Sequence, residues 1–126
     1  MIIDRCRDYE EFKEFFEKYP MNDNYFPPDF VINNPDLICG YNEKTGKLER
    51  YCNPYEVDGN IYISGASIRG NLPENVTFII KICKAYNKDI YADTDIKTAR
   101  IVLNRAGFKN LSNNLYVRYK NGKTFK

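Results

Sequence analysis

KDIYADTDIKTARIVLNRAGF, residues 88–108, carries a strand, a helix and a helix stop in immediate succession. Ile90, Tyr91 and Ala92 are strand formers, and Thr94 and Asp95 are candidate caps for a helix over 96–106. Ala99, Val102, Leu103 and Ala106 recur at i, i+3, i+4 and i+7, which is one face of a helix. Gly107 fits the left-handed position just past a helix end, and Phe108 opens the next segment.

Outward from this stretch the chain alternates recognisable elements. Ile2 and Ile3 predict a short first strand. Asp8 with Glu11 three residues later has the spacing of a reciprocal capping box, ahead of a helix whose stripe is Phe12, Phe15, Phe16 and Tyr19 and whose stop is Pro20. MNDNYFPPDFVINN, residues 21–34, reads as an ordered loop or a short helical turn, with Tyr25, Phe26 and Phe30 as anchors or as the lining of a site. From Asp36 the period changes to two. Strands are predicted at Leu37–Tyr41, Leu48–Cys52 and Ile61–Ile68, joined by turns at Glu43–Gly46 and Asp58–Gly59. The third is apolar or small on both faces and reads as central, with Gly65 marking a bulge or a close backbone approach. A helix over 76–86 follows, with the stripe Val76, Ile79, Ile80 and Cys83 and with Pro73 and Glu74 in its first turn. Leu115, Val117 and Tyr119 alternate with polar neighbours after a turn at Asn113–Asn114, and 121–126 reads as a frayed tail.

The 126 residues suit one compact domain. Cys6, Cys39, Cys52 and Cys83 are widely spaced in apolar contexts, which favours buried thiols in a reducing compartment over disulfides or zinc ligands. The absence of histidine excludes a His triad, a His general base and a His metal site, and no metal is expected. The charged start leaves no signal peptide or membrane span, so the expected location is cytoplasmic. The net charge of +2 conceals an acidic first half and a basic second half. Three readings of the basic half stand: a solvated surface, a phosphate-bearing ligand, or an acidic partner.

The AGF helix end at 106–108, the strand before its helix and the hairpin after it resemble the last third of the GNAT N-acetyltransferase superfamily, and the element order over 36–119 is similar to that family's. The resemblance implies an α+β fold with a mixed, mostly antiparallel twisted sheet flanked by helices. It also implies acetyl-CoA as cofactor and an amine-bearing substrate. The family's pyrophosphate loop corresponds to SIRGNLPENV, residues 67–76, where Arg69, Gly70 and Asn71 match only a reduced version of the pattern. Pro73 there has no N–H to donate, and Glu74 puts a carboxylate where phosphate charge would lie. Backbone amides around Ser64, Ala66 and Ile68 complete the cofactor site that the resemblance implies, including oxyanion-type donation to a carbonyl.

For catalysis, alignment on Ala99 and Gly107-Phe108 puts Ile96 at the family's Asn position and Leu103 at its Tyr acid position, and neither donates a proton. Glu56, Asp93 and Asp95 are the remaining candidate carboxylates, and Tyr51 and Tyr55 are candidates for an acceptor pocket. Asp93 and Asp95 serve equally well as helix cap and first-turn acid. Two functions follow: an acetyl-CoA-dependent N-acetyltransferase with a degenerate loop, or a non-catalytic GNAT-like module that binds a protein partner. The reduced loop and the Asn- and Lys-rich composition resemble small phage or low-GC bacterial members, which would place such a protein in the host cytoplasm. Nucleic acid is the least favoured partner, since no basic recognition motif is present.

Overall fold

A computed structural model describes residues 1–19 and 27–120. In chain order the elements are β1 (Ile2–Asp4), α1 (Tyr9–Lys18), α2 (Pro28–Ile32), β2 (Ile38–Tyr41), β3 (Leu48–Val57), β4 (Asn60–Ser67), α3 (Leu72–Lys84), β5 (Ile90–Asp93), α4 (Lys97–Arg105), β6 (Lys109–Ser112) and β7 (Leu115–Arg118). The sheet has strand order β1-β2-β3-β4-β5-β7-β6, so β4 is central, as its apolar faces require. The β4–β5 pairing is parallel, and the β1–β2, β2–β3, β5–β7 and β6–β7 pairings are antiparallel. The chain divides into two compact units, Met1–Pro54 with Ser64–Asn71, and Tyr55–Ile63 with Leu72–Lys126.

In the first unit, Asp8 caps α1 by accepting hydrogen bonds from the N–H groups of Glu10 (2.9 Å) and Glu11 (3.2 Å). The capping box is not reciprocal. Glu11 turns its carboxylate away and accepts from the N–H of Leu48 at 2.8 Å, tying α1 to the start of β3. Phe12, Phe15 and Phe16 pack with Val31, Leu37, Cys39, Tyr41, Leu48 and Tyr51 into one core. Burying a Phe side chain as completely as Phe12 stabilises by about 2–3 kcal/mol. The expected stop at Pro20, with Tyr25 and Phe26, lies outside the described residues, and α2 supplies the expected helical turn. Phe30 stands largely exposed.

Two glycines make room for neighbours here. A Cβ on Gly65 would lie 2.1 Å from the Tyr51 carbonyl oxygen, which is the close backbone approach anticipated for it. A Cβ on Gly40 would lie 2.6 Å from Cγ of Arg50, a fully buried side chain whose Nη2 reaches the Glu49 carboxylate at 3.4 Å. β3 outruns its predicted end at Cys52 by five residues and passes through Asn53 and Pro54.

In the second unit, Asp58 (φ 51°) and Gly59 (φ 83°) form the predicted tight turn from β3 into β4. Ile63, Ile90, Ala92 and Tyr116 are buried on one sheet face, with Phe78, Ile82 and Cys83 of α3 and Leu103 of α4 also in the core. Arg118 belongs to that face and donates from Nε to the Ala106 carbonyl at 3.0 Å, which fixes the end of α4 against β7. The buried side of α3 is Asn75, Phe78, Ile82 and Cys83, whereas Val76, Ile79 and Ile80 are only half-buried. The predicted stripe is therefore rotated from the true one, because 76–83 is apolar nearly all round. α4 starts at Lys97 and has no side-chain cap. Thr94 is buried, and its hydroxyl accepts from the N–H of Ile96 at 3.1 Å rather than capping the helix. Gly107 sits at φ 95°, with Phe108 N–H bonded to Leu103 O (2.9 Å) and Gly107 N–H to Asn104 O (3.2 Å), the paired bonds of a Schellman stop.

Candidate functional site

The cofactor-binding candidates occupy the second half of β4 and the turn after it. The parallel ladder to β5 joins Ile61, Tyr62 and Ile63 to Ile90, Tyr91 and Ala92, and β4 runs on from there through Ser67. Ser64 accepts from Nδ2 of the fully buried Asn53 at 3.4 Å. Asn34 in turn donates from Nδ2 to Asn53 Oδ1 (2.7 Å) and to the Pro54 carbonyl (2.6 Å). This polar chain holds Ser64 and the neighbouring backbone in place. Ala66 and Ile68 pack against the first unit's core, and the Ile68 N–H is committed to the Glu49 carbonyl at 2.9 Å.

Beyond Ile68 the chain leaves the ladder. Arg69, Gly70 and Asn71 are exposed, and Gly70 (φ 81°) and Asn71 (φ 55°) are consecutive left-handed residues. A Cβ on Gly70 would meet nothing within 4 Å, so this glycine is present for its backbone angle. The chain then enters α3 at Leu72, with Pro73 and Glu74 in the first turn as the sequence indicated.

The carboxylate candidates lie in the second unit. Asp93 ends β5, Asp95 follows the buried Thr94, and both are exposed. Glu56 is exposed near the end of β3, one residue after Tyr55. Tyr55 stacks on Tyr62, the β5 partner of which is Tyr91; from that row Glu56 and Asp93 lie in opposite directions along the strands. The two aspartates are thus near neighbours and Glu56 stands apart from them. Among the described residues no group of three carboxylate or thiol side chains is placed to hold a metal ion.

Of the two tyrosines proposed for an acceptor pocket, Tyr51 is a core residue, 2% exposed, with its ring edge-on to Phe12 at 5.2 Å. Tyr55 instead begins a stack that single-strand patterns do not reveal. Tyr55, Tyr62 and Tyr91 stand half-exposed on three adjacent strands, with centroids 5.7 and 5.3 Å apart and interplanar angles of 22° and 28°. They lie on the sheet face opposite Arg118. Burial first, then the Asp89 carboxylate and the neighbouring Tyr62 and Tyr119 phenols, raise the pKa of Tyr91, so its hydroxyl remains a donor.

On α4, Leu103 is buried and Ile96 is the exposed residue before the helix. The basic half gathers Lys84, Arg118 and Lys120 around an open cavity of about 420 Å³ at the end of α3, where a helix C-terminus favours cations.

No protein-family model and no curated protein matches the sequence. The structure is similar to a crystal structure of a GNAT-family acetyltransferase from Bacillus anthracis, with a TM-score of 0.66, 11% identity and 94% of each chain covered. This chain has the GNAT fold. At that identity the likeness concerns the path of the backbone, and in the GNAT fold the strand-to-helix turn after β4 is the segment 68–71 described above.

Proposed function

We propose that this GNAT-fold protein binds acetyl-CoA through the turn after β4 and transfers the acetyl group to an amine. The observation that carries the reading is the Arg69-Gly70-Asn71 turn. Gly70 and Asn71, both left-handed, follow Arg69 just past the end of β4, so an exposed turn stands beside a guanidinium. Backbone and guanidinium groups in such a turn suit a pyrophosphate, with the Arg contact charge-assisted. Ser64 and Ala66 would flank the thioester. Pro73 and Glu74 make the site weaker than a glycine-rich loop, because one removes a donor and the other adds a negative charge.

In this reading no side chain replaces a tyrosine acid on α4. A thiolate leaving group has a low enough proton affinity to depart without one, and the transfer is correspondingly slow. Asp93 and Asp95 are the carboxylates to take a proton from the acceptor amine, with Glu56 the third candidate. The test is thermal unfolding with acetyl-CoA. A cofactor at a hundred times its dissociation constant stabilises a fold by about 2.7 kcal/mol. Arg69→Glu should abolish that shift while leaving the melting temperature of the free protein unchanged. No shift at millimolar acetyl-CoA in the unmodified protein overturns the reading.

The Tyr55–Tyr62–Tyr91 stack favours a second reading, a GNAT-fold module that presents this half-exposed aromatic face to a protein partner. Under that reading the triple change of these tyrosines to Ser abolishes partner capture, and acetyl-CoA produces no thermal shift.

A further inference from the structure

Arg118 of β7 reaches the ends of two helices. Its Nε donates to the Ala106 carbonyl after α4 at 3.0 Å, and with Lys84 of α3 and Lys120 it lines the open cavity of about 420 Å³. Among the described residues its two Nη groups have no hydrogen-bond or ion-pair partner, and neither lysine is in an ion pair. No carboxylate lines this cavity, and Asn87 adds an amide to its wall. A smaller cavity of about 250 Å³ adjoins it, sharing Asn87 and Lys120 and adding Lys88 and Asp89. The Asp89 carboxylate there accepts from the Lys120 N–H at 2.9 Å, so it is drawn onto the backbone at the border of the two.

The dipole of α3 accounts for Lys81 and Lys84 in its last turn. It does not account for Lys88, beyond the helix, or for Lys120, beyond β7. Like charges gathered without acids repel one another, and that repulsion is relieved by a ligand of opposite charge. A guanidinium fork flanked by ammonium groups is the donor set that phosphate oxygens take. The volume falls in the range of small-molecule sites, about 300–1,000 Å³, and a concave wall suits a small ligand better than a protein face. We propose that this cavity is an anion site for a ligand carrying a chain of two or three phosphate groups. Arg118 takes one phosphate through its Nη groups, Lys84 and Lys120 neutralise its neighbours, and Asn87 supplies a further donor. A single phosphate would answer only part of that charge. The site is separate from the Arg69-Gly70-Asn71 turn, because the turn enters the first residue of α3 and the cavity lies at its last, 13 residues or about 20 Å along the helix.

The test is titration of the full-length protein with inorganic triphosphate, read by amide chemical shifts in nuclear magnetic resonance and by calorimetry. Shifts should fall on residues 84–88 and 118–120, and added potassium chloride should weaken binding. Arg118 also fixes the end of α4, so the two exposed lysines carry the mutational test. Lys84→Gln combined with Lys120→Gln should weaken binding about tenfold without lowering the melting temperature of the free protein. Arg69→Glu should bind triphosphate like the unmodified protein. Adenosine triphosphate in the same titration separates the sources of the phosphate chain: tighter binding with shifts spreading around Tyr86 supports a nucleotide, and equal affinity supports the chain alone. Shifts centred on residues 68–74, undiminished affinity in the double variant, orthophosphate binding as tightly as triphosphate, or no shifts at millimolar triphosphate each overturn the proposal.

Discussion

Gly65→Ala is the sharpest test of the packing. In an extended strand the exchange ordinarily stabilises by about 0.4–1 kcal/mol, because alanine has less freedom to lose on folding. Here the added Cβ would lie 2.1 Å from the Tyr51 carbonyl oxygen and 3.1 Å from Cys52 Cα. Those are backbone atoms, so relief requires β3 and β4 to separate locally by more than an ångström. Overpacking of that kind costs about 1–3 kcal/mol. The separation also strains two flanking hydrogen bonds, Ile68 N–H to Glu49 O and Asn53 to Ser64, worth about 1 kcal/mol each. A net loss of about 3 kcal/mol is expected. With an unfolding entropy of roughly 2.1 cal/mol/K per residue, a chain of this length should then melt about 11 °C lower. Urea titration and thermal unfolding by circular dichroism measure it, with Gly46→Ala as control. Gly46 lies at φ 74° with open space around it, so its variant suffers backbone strain alone and should lose about 1 kcal/mol. A Gly65→Ala protein as stable as the unmodified one refutes the close approach.

Three further outcomes are expected. Gly107→Ala keeps ordinary contacts but must hold φ 95°, and should lose about 1 kcal/mol in denaturant titration. Phe78→Ala should cost about 3–5 kcal/mol and Val76→Ala much less, because only Phe78 is fully in the core; equal losses would restore the sequence-predicted face of α3. Burial holds the Cys39 thiol protonated up to about 12 against an ordinary value of 9, with the Cys6 thiol and Glu11 carboxylate acting in the same direction. Between those limits the unfolded chain binds fewer protons than the folded one, so stability should fall as pH rises from 9 toward 12; in Cys39→Ala that part of the alkaline decline should disappear.

What was legible in the sequence was local. Asp58-Gly59, Gly107 with Phe108, and Asp8 before α1 each act within their own few residues of chain, and each does what its residue type dictates. Non-local partners were hidden. Glu11 has the spacing of a capping box but serves Leu48, thirty-seven residues away. The strand predicted to end at Cys52 runs on through Asn53 and Pro54, with Asn53 buried and bound to Asn34. Arg50 is a core residue because Gly40 leaves it room, a relation between two strands. Tyr55, Tyr62 and Tyr91 line up only once three registers are known. At the turn after β4 the residues Arg69, Gly70 and Asn71 were identifiable, but not the two left-handed angles or the commitment of the Ile68 N–H.

The tyrosine stack also gives the molecule an optical identity. The chain has no tryptophan, so its near-ultraviolet absorption and emission come largely from eleven tyrosines. Three of them, Tyr55, Tyr62 and Tyr91, lie within 6 Å of the next ring in a fixed near-parallel arrangement. Rings held so close in one orientation exchange excitation and give a coupled circular-dichroism band that separated rings lack. The second unit therefore carries a built-in chromophore. Loss of its band ahead of the far-ultraviolet signal would report that unit opening by itself, without any label.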